Sequence, residues 1–191
     1  VFIGGRMGFS AAAATISASF ASAGSISLVI NGTVIAAIKD DTNSNGNTNL
    51  DINDVVVAIN NSRTGVTASA FNEATAAYAG TGILASDDSM TITVTTIDDA
   101  DALVYTITNT SSMDDLVSKI NAVGGAGTVQ ARLNDEGKLV LFNNTGADIE
   151  TTTVAANDSI LGQSAVTGFV TGAHFNGMLK LESQTDNPIT I

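Results

Sequence analysis

The sequence predicts an α+β protein built mostly of antiparallel β-sheet, with two or three short helices. Short apolar segments alternate with polar residues at a period of two, which is typical of strands with one wet face. Two-residue turn signals, Asn31-Gly32 and Asn176-Gly177, lie between such segments and favour antiparallel hairpins. Few stretches show apolar residues at helical spacing, so strands are expected to outnumber helices.

The first predicted element is a hairpin in which Ser25–Asn31 and Thr33–Ile38 flank Gly32. A second hairpin is expected where Met90–Thr96 and Leu103–Thr108 flank an acidic turn. Threonines alternate with apolar residues in the first of these two strands, so one of its faces is expected to contact water. Further strands are predicted at Val129–Leu133, Lys138–Phe142, Phe169–Phe175 and Met178–Glu182.

Helices are predicted at three places: Asn53–Asn60, Met113–Ala122 and Ser69–Ala79. In the second of these, Ser112 is expected to cap the N-terminus. Asp114 and Asp115 in the first turn face the positive end of the helix dipole. Asn121 is expected to adopt the left-handed conformation at the helix exit.

A short pattern occurs twice in the chain. Asn53–Asn60 is followed by Gly65-Val66-Thr67-Ala68, and Asp114–Asn121 is followed by Gly127–Ala131. In each copy an acidic residue precedes apolar positions at helical spacing, Ile-Asn closes the segment, and a Gly-led turn leads into a strand. This predicts one supersecondary unit that is used twice.

At these residues the chain resembles the flagellin family, specifically the Ile-Asn motif in the variable outer regions of bacterial flagellins and in related hook-associated and cap proteins. The resemblance covers residues 25–70 and 89–153, and residues 137–141 and 177–181 echo each other more loosely. Long heptad-patterned terminal helices are not found in the sequence. The resemblance therefore implies the outer, antigenic part of a flagellin, separated from the ends that polymerise.

The same resemblance implies an extracellular location on the bacterial flagellum and a role in motility. Its expected partners are other flagellin subunits, reached through terminal regions absent here. The outer domain of a cap or hook-associated protein is the nearest alternative. A calcium-stabilised adhesin or a carbohydrate-binding module that shares the repeat is a second alternative, from a different functional class.

The order of the elements predicts two nested domains. The first repeat lacks a closing hairpin where the second repeat begins, and such a hairpin occurs only at the end of the chain. An open strand edge must be paired or covered, so we expect residues 86–161 to be inserted into an outer domain made of residues 1–85 and 162–191. Met178–Glu182 should then pair with strands of the 25–70 region rather than with Met90–Thr96.

The composition argues against several functions. The net charge is -12 with only 7 Lys and Arg in 191 residues, which argues against nucleic acid because affinity for phosphates depends on basic side chains. Acidic membrane surfaces are disfavoured for the same reason, and apolar runs end before the ~18 residues that a spanning helix needs. Cysteine is absent, which excludes disulfides and thiolate metal sites. Repulsion between acidic copies predicts a monomer.

One loop is a candidate calcium site, and no other cofactor is predicted. Its candidate ligands are oxygen-bearing side chains at Asp41, Asn43, Asn45, Asp51 and Asp54. Oxygens at alternate positions before Gly46 match a calcium loop, but the second half fits only if Asn47-Thr48 is an insertion. The alternative is that these residues serve turns and the cap of the following helix.

No catalytic group is predicted. His174 is the only histidine, and its neighbours match neither a nucleophile elbow nor a zinc-binding helix. The paired aspartates lie in expected turns and helix caps, where solvation explains them. We therefore expect a protein that is not an enzyme.

Overall fold

The structure is a computed structural model that describes residues 28–35, 52–95, 102–125, 127–155, 159–160, 163–170, 172–185 and 187–191. Two helices lie in this part of the chain: α1 (Ile52–Asn60) and α2 (Met113–Val123). The longer strands are β3 (Val66–Thr75), β5 (Ser89–Thr95), β6 (Ala102–Ile107), β8 (Gln130–Leu133), β9 (Leu139–Asn143), β10 (Asp148–Val154), β13 (Ala173–Phe175) and β14 (Met178–Ser183). The shorter strands are β1 (Val29–Ile30), β2 (Thr33–Val34), β4 (Ile83–Leu84), β7 (Thr110–Ser111), β11 (Ser159–Ile160) and β12 (Gln163–Ser164).

Two four-stranded antiparallel sheets organise these elements. One has the strand order β13-β10-β5-β6, and the other has the order β14-β3-β9-β8. Three two-stranded pairs, β1-β2, β4-β7 and β11-β12, complete the described sheets. The predicted α+β class with mostly antiparallel sheet is confirmed.

Both predicted hairpins form in the described residues. Asn31 and Gly32 both have positive φ, 51° and 75°, which is the type I′ geometry that matches the twist of a hairpin. Strands β5 and β6 pair from Met90↔Ile107 to Thr95↔Ala102. Residues 25–27, 36–38 and 96–101 of these predictions lie outside the described part of the chain.

The helix predicted at Ser69–Ala79 is wrong, because this stretch begins inside strand β3. The buried side chains of β3 include Val66, Ala68, Asn72 and Ala74, which all lie on one face at a period of two. Alanines favour a helix locally, but pairing with two neighbouring strands satisfies the backbone here and overrides that preference.

Strand β3 has different partners along its two halves. Its first half pairs with β14, from Met178↔Phe71 to Ser183↔Val66. Its second half pairs with β9, from Asn72↔Asn143 onward. The expected pairing of Met178–Glu182 with the 25–70 region, and not with Met90–Thr96, is confirmed for residues 179–182, and Met178 pairs one residue beyond that region, with Phe71.

Buried apolar side chains form two clusters. The smaller cluster contains Ile30, Ile35, Val55, Ile59, Val66, Ala68 and Leu179. The larger cluster extends along the chain from Ala74 to Phe169 and includes Ile92, Leu116, Ile120, Leu141 and Ile149. Strand β3 contributes residues to both clusters, so it connects them.

Candidate functional site

The start of α2 is built by the predicted cap. The Ser112 hydroxyl accepts a hydrogen bond from the Asp115 backbone N–H at 3.2 Å. Asp115 in turn accepts from the backbone N–H of Ser111 at 2.9 Å and from its hydroxyl at 3.1 Å. The Ser111 backbone N–H is the main cause that lowers the pKa of Asp115, with Lys119 contributing a smaller electrostatic effect. These contacts fix where the helix begins.

Asn121 connects this helix to the next strand. Its Nδ2 donates to the Ala131 carbonyl at 2.9 Å, and its Oδ1 accepts from the Ala131 N–H at 2.7 Å. The expected left-handed exit at Asn121 is wrong, because the helix continues to Val123 and Gly124 follows with φ of -91°. The side chain of Asn121, rather than its backbone conformation, gives this residue its structural role.

Asn60 makes the same pair of contacts in the first copy of the pattern. Its Nδ2 donates to the Ala68 carbonyl at 3.0 Å, and its Oδ1 accepts from the Ala68 N–H at 2.8 Å. A side-chain amide offers one acceptor and a donor group in the same arrangement as a peptide group. In both copies, therefore, an asparagine pairs with a strand alanine as a neighbouring strand would.

The isoleucine before each asparagine is fully buried. Ile59 is 0 % exposed in the smaller cluster, and Ile120 is 0 % exposed in the larger one. Burying such a side chain contributes roughly 1.5–3 kcal/mol. In each Ile-Asn pair, the isoleucine packs the helix into a hydrophobic cluster, and the asparagine hydrogen-bonds the helix to the following strand.

A polar junction lies where β3 passes from one cluster to the other. Asn72 is 1 % exposed, and its Nδ2 donates to the carbonyls of Ala147 at 2.9 Å and Phe175 at 2.7 Å. Its strand partner Asn143 is 3 % exposed and donates to the same Ala147 carbonyl at 2.8 Å. Two buried asparagines therefore share one acceptor at the junction.

Close backbone packing reinforces this junction. The Gly177 N–H donates to Asp148 Oδ1 at 2.9 Å. A Cβ at Gly177 would lie 2.1 Å from the Gly146 carbonyl oxygen, and a Cβ at Gly146 would lie 2.6 Å from the Ala70 side chain. The segment before β14 can approach the segment before β10 this closely, and the segment before β10 can approach β3, only because Gly177 and Gly146 have no side chain.

Of the five candidate calcium ligands, only Asp54 lies in the described part of the chain. It is 4 % exposed in the first turn of α1 and takes part in a further polar interaction. Asp41, Asn43, Asn45 and Asp51 lie outside the described residues. Within the described ranges, no group of three or more His, Cys, Asp or Glu side chains could hold a metal ion, and the loop itself stays a prediction.

Calcium binding by this loop predicts a change in thermal stability. If residues 41–54 bind the ion only when they are ordered, calcium should raise the melting temperature by an amount that grows with its concentration. Circular dichroism melts in calcium and in chelator measure this difference. Two results together would contradict calcium binding: equal melting temperatures in calcium and in chelator, and an Asp51→Asn variant that melts like the wild type in calcium. The residues of the loop would then serve turns and the cap of the following helix.

His174 lies on the surface of the sheet that contains β13. It is the cross-strand neighbour of Glu150, and its Nε2 lies 3.0 Å from the Glu150 Oε2. The histidine side chain is 59 % exposed. Such an exposed pair contributes little to stability.

The residues that hold this site together were only partly visible in the sequence. The repeated Ile-Asn pairs marked Asn60 and Asn121, and the strands after both glycines carry Val-x-Ala. The junction residue Asn72 was missed. The one signal for it is a polar residue at a buried position of a strand whose other buried positions are apolar.

Comparison with known families places a motif on the second copy of the pattern. Residues 77–145 match the family model of the flagellin hook IN motif. This range contains α2, Ile120 and Asn121, together with strand β8. No curated protein matches the chain. In the described part of the chain, no helix has the length and apolar character needed to cross a membrane.

Proposed function

This chain carries the flagellin hook IN motif, which supports a flagellin-family outer region, and on this premise we propose that it is a structural, surface-exposed outer domain of a bacterial flagellin. The flagellin family is structural rather than enzymatic, and it assembles into extracellular filaments. The proposal places this chain on the outside of such a filament, where it sets the charge and antigenicity of the surface.

The observation that carries the proposal is the Asn121–Ala131 contact within the matched residues. The Ile-Asn pair of the motif is used there to bury Ile120 and to pair with the backbone of β8. These contacts stabilise a fold and leave the amide of Asn121 occupied. These contacts are consistent with a structural role for Asn121.

Antibodies raised against the purified chain test the proposed location. In immunogold electron microscopy of the source bacterium, we expect labels along the length of the flagellar filament. Labels confined to the filament tip would identify a cap protein instead. Unlabelled flagella on cells that express the chain would contradict the proposal.

We also propose that the two copies of the pattern are equivalent units. The support is that α1 with β3, and α2 with β8, are joined by the same pair of asparagine contacts, with distances of 2.7–3.0 Å. Asparagine and alanine are eight positions apart in the first copy and ten in the second, so the same contact is made across a longer connection in the second copy.

The nested arrangement remains part of this proposal. The pairing of β14 with β3 supports a domain made from both parts of the chain. The predicted domain boundaries lie between residues 85 and 86 and between residues 161 and 162. Ala74, Leu84 and Phe169 lie outside the predicted inserted domain, yet they pack in the larger cluster with its residues. Boundaries near Asn72 and Asn176 therefore agree better with the two clusters. The inserted domain would then include the strands on both sides of the predicted boundaries.

The isolated chain is expected to be a monomer that forms no filaments. A net charge of -12 repels other copies at neutral pH, which supports this expectation. Sedimentation velocity at physiological salt should give one species with the mass of a single chain, 19.3 kDa. Long fibres growing from the purified chain would contradict this expectation.

A further inference from the structure

We propose that Asn60 and Asn121 are edge guards, a term used here for side chains that occupy the open edge of a strand and deny it to a strand of another copy of this chain. An unpaired strand edge exposes a row of N–H and C=O groups that can pair with another chain. The two asparagines occupy such groups with their own amides. This role goes beyond holding one fold together.

Strand β8 provides the first case. Among the described strands it is the last of its sheet, and β9 pairs with it on one side. The two backbone groups of one residue in an antiparallel strand point to the same side. Because Asn121 takes both groups of Ala131, it must lie on the open side. Since β8 has only 4 residues, this contact occupies much of the short edge.

Strand β3 provides the second case. Over its first half β14 pairs with it on one side, and β9 takes the other side only from Asn72 onward. Asn60 occupies both backbone groups of Ala68 on the side that β9 leaves open. The N–H of Val66 on the same strand is directed to the Thr64 hydroxyl at 3.3 Å. Contacts from within the chain thus occupy both backbone groups of Ala68 and the N–H of Val66 on this open stretch of β3.

The strand that Asn60 and Asn121 keep from pairing with β3 and β8 belongs to a second copy of this chain. Each edge can pair antiparallel with the same edge of an identical chain, so the complementary strand is present whenever copies are concentrated. The acidic net charge repels copies at a distance, but that repulsion is screened beyond about 8 Å at physiological salt. Strand β14, which is also an edge, carries the exposed charges Lys180 and Glu182, a different means of discouraging pairing.

Replacing Asn121 with alanine tests the proposal in the whole chain. The variant frees the N–H and C=O of Ala131 and leaves the buried face of α2 unchanged. We expect it to keep the native circular dichroism spectrum and to sediment as a dimer or larger species at concentrations where the wild type is a monomer. In amide exchange by NMR, Ala131 should lose protection in dilute samples and regain it as the variant associates.

A matched control separates edge pairing from general instability. Ile92→Val and Leu116→Ala shorten side chains that are 0 % exposed and leave every strand edge as it is. Of these two controls, the one used for the comparison is the one whose melting temperature is closest to that of Asn121→Ala. We expect this control to remain a monomer. If that control associates to the same extent, association follows stability and the proposal is overturned.

If Asn121→Ala does not fold, two further variants test the same proposal. Asn60→Ala opens the other guarded edge and should also associate. Asn121→Asp keeps the acceptor for the Ala131 N–H and adds a charge at the edge, so it should stay a monomer. Folded alanine variants that remain monomers at every concentration reached by the wild type would overturn the proposal.

Discussion

Replacing Gly168 with alanine is expected to lower the free energy of unfolding by roughly 2–5 kcal/mol, the sum of a left-handed backbone cost of about 1–2 kcal/mol and an overpacking cost of about 1–3 kcal/mol. Gly168 has a φ of +75°, and a Cβ there would lie 2.0 Å from the carbonyl oxygen of Tyr78. Its own carbonyl accepts from the Ala77 N–H at 2.9 Å. The contact is between two backbone segments, so a side-chain rotation cannot relieve it.

Gly172→Ala is the matched control for this prediction. Gly172 has almost the same φ, +72°, and no described atom lies within 4 Å of a Cβ there. It should lose only about 1–2 kcal/mol, the cost of the backbone conformation alone. Urea unfolding followed by circular dichroism measures both variants against the wild type. Equal losses would mean that the close approach to Tyr78 does not constrain the fold.

Replacing Asn72 with alanine is expected to lower the free energy of unfolding by about 1–3 kcal/mol, because a part-buried carbonyl loses its donor and a cavity forms. Removal of the Asn72 Oδ1, which is buried without a hydrogen-bond partner among the described residues, offsets part of this loss. Phe175 would lose the donor at 2.7 Å. Ala147 would keep a donor from Asn143. The loss should therefore come mainly from the segment that leads into β14.

Asn72→Ala should also weaken the connection between the two clusters. Hydrogen exchange should show the residues around Leu179 opening before those around Leu116, whereas in the wild type they are expected to open together. Thr151→Val is the control, since the Thr151 hydroxyl is buried with no hydrogen-bond partner among the described residues. Removing it should be neutral or stabilising. A loss as large as that of Asn72→Ala would contradict the role of the two carbonyl contacts.

Much of the fold was predictable because the signals are local. The hairpin at Asn31-Gly32 depends on two residues that tolerate positive φ. The start of α2 depends on Ser112 and Asp115, which satisfy backbone groups within one turn. The alternation of threonine with Met90, Ile92 and Val94 gave β5 its buried face.

The site was less predictable because its contacts join distant residues. The repeat pointed to Asn121 but suggested a backbone role for it, since asparagine is common where helices end. That its amide would pair with Ala131 depends on where β8 lies relative to α2. Asn72 contacts residues 75 and 103 positions away, so no local pattern could assign its partners.

The class of the fold, both helices and the turns follow from residues within a few positions of one another, so local sequence patterns were enough to predict them. Three features depend instead on contacts between distant segments: Ser69–Thr75 belongs to a strand, this strand contributes to both hydrophobic clusters, and two asparagines pair with strand backbones. The physical reason is that local preference is weak, a few tenths of a kcal/mol per residue. A buried backbone group without a partner costs more than that, so strand pairing between distant segments prevails over local preference.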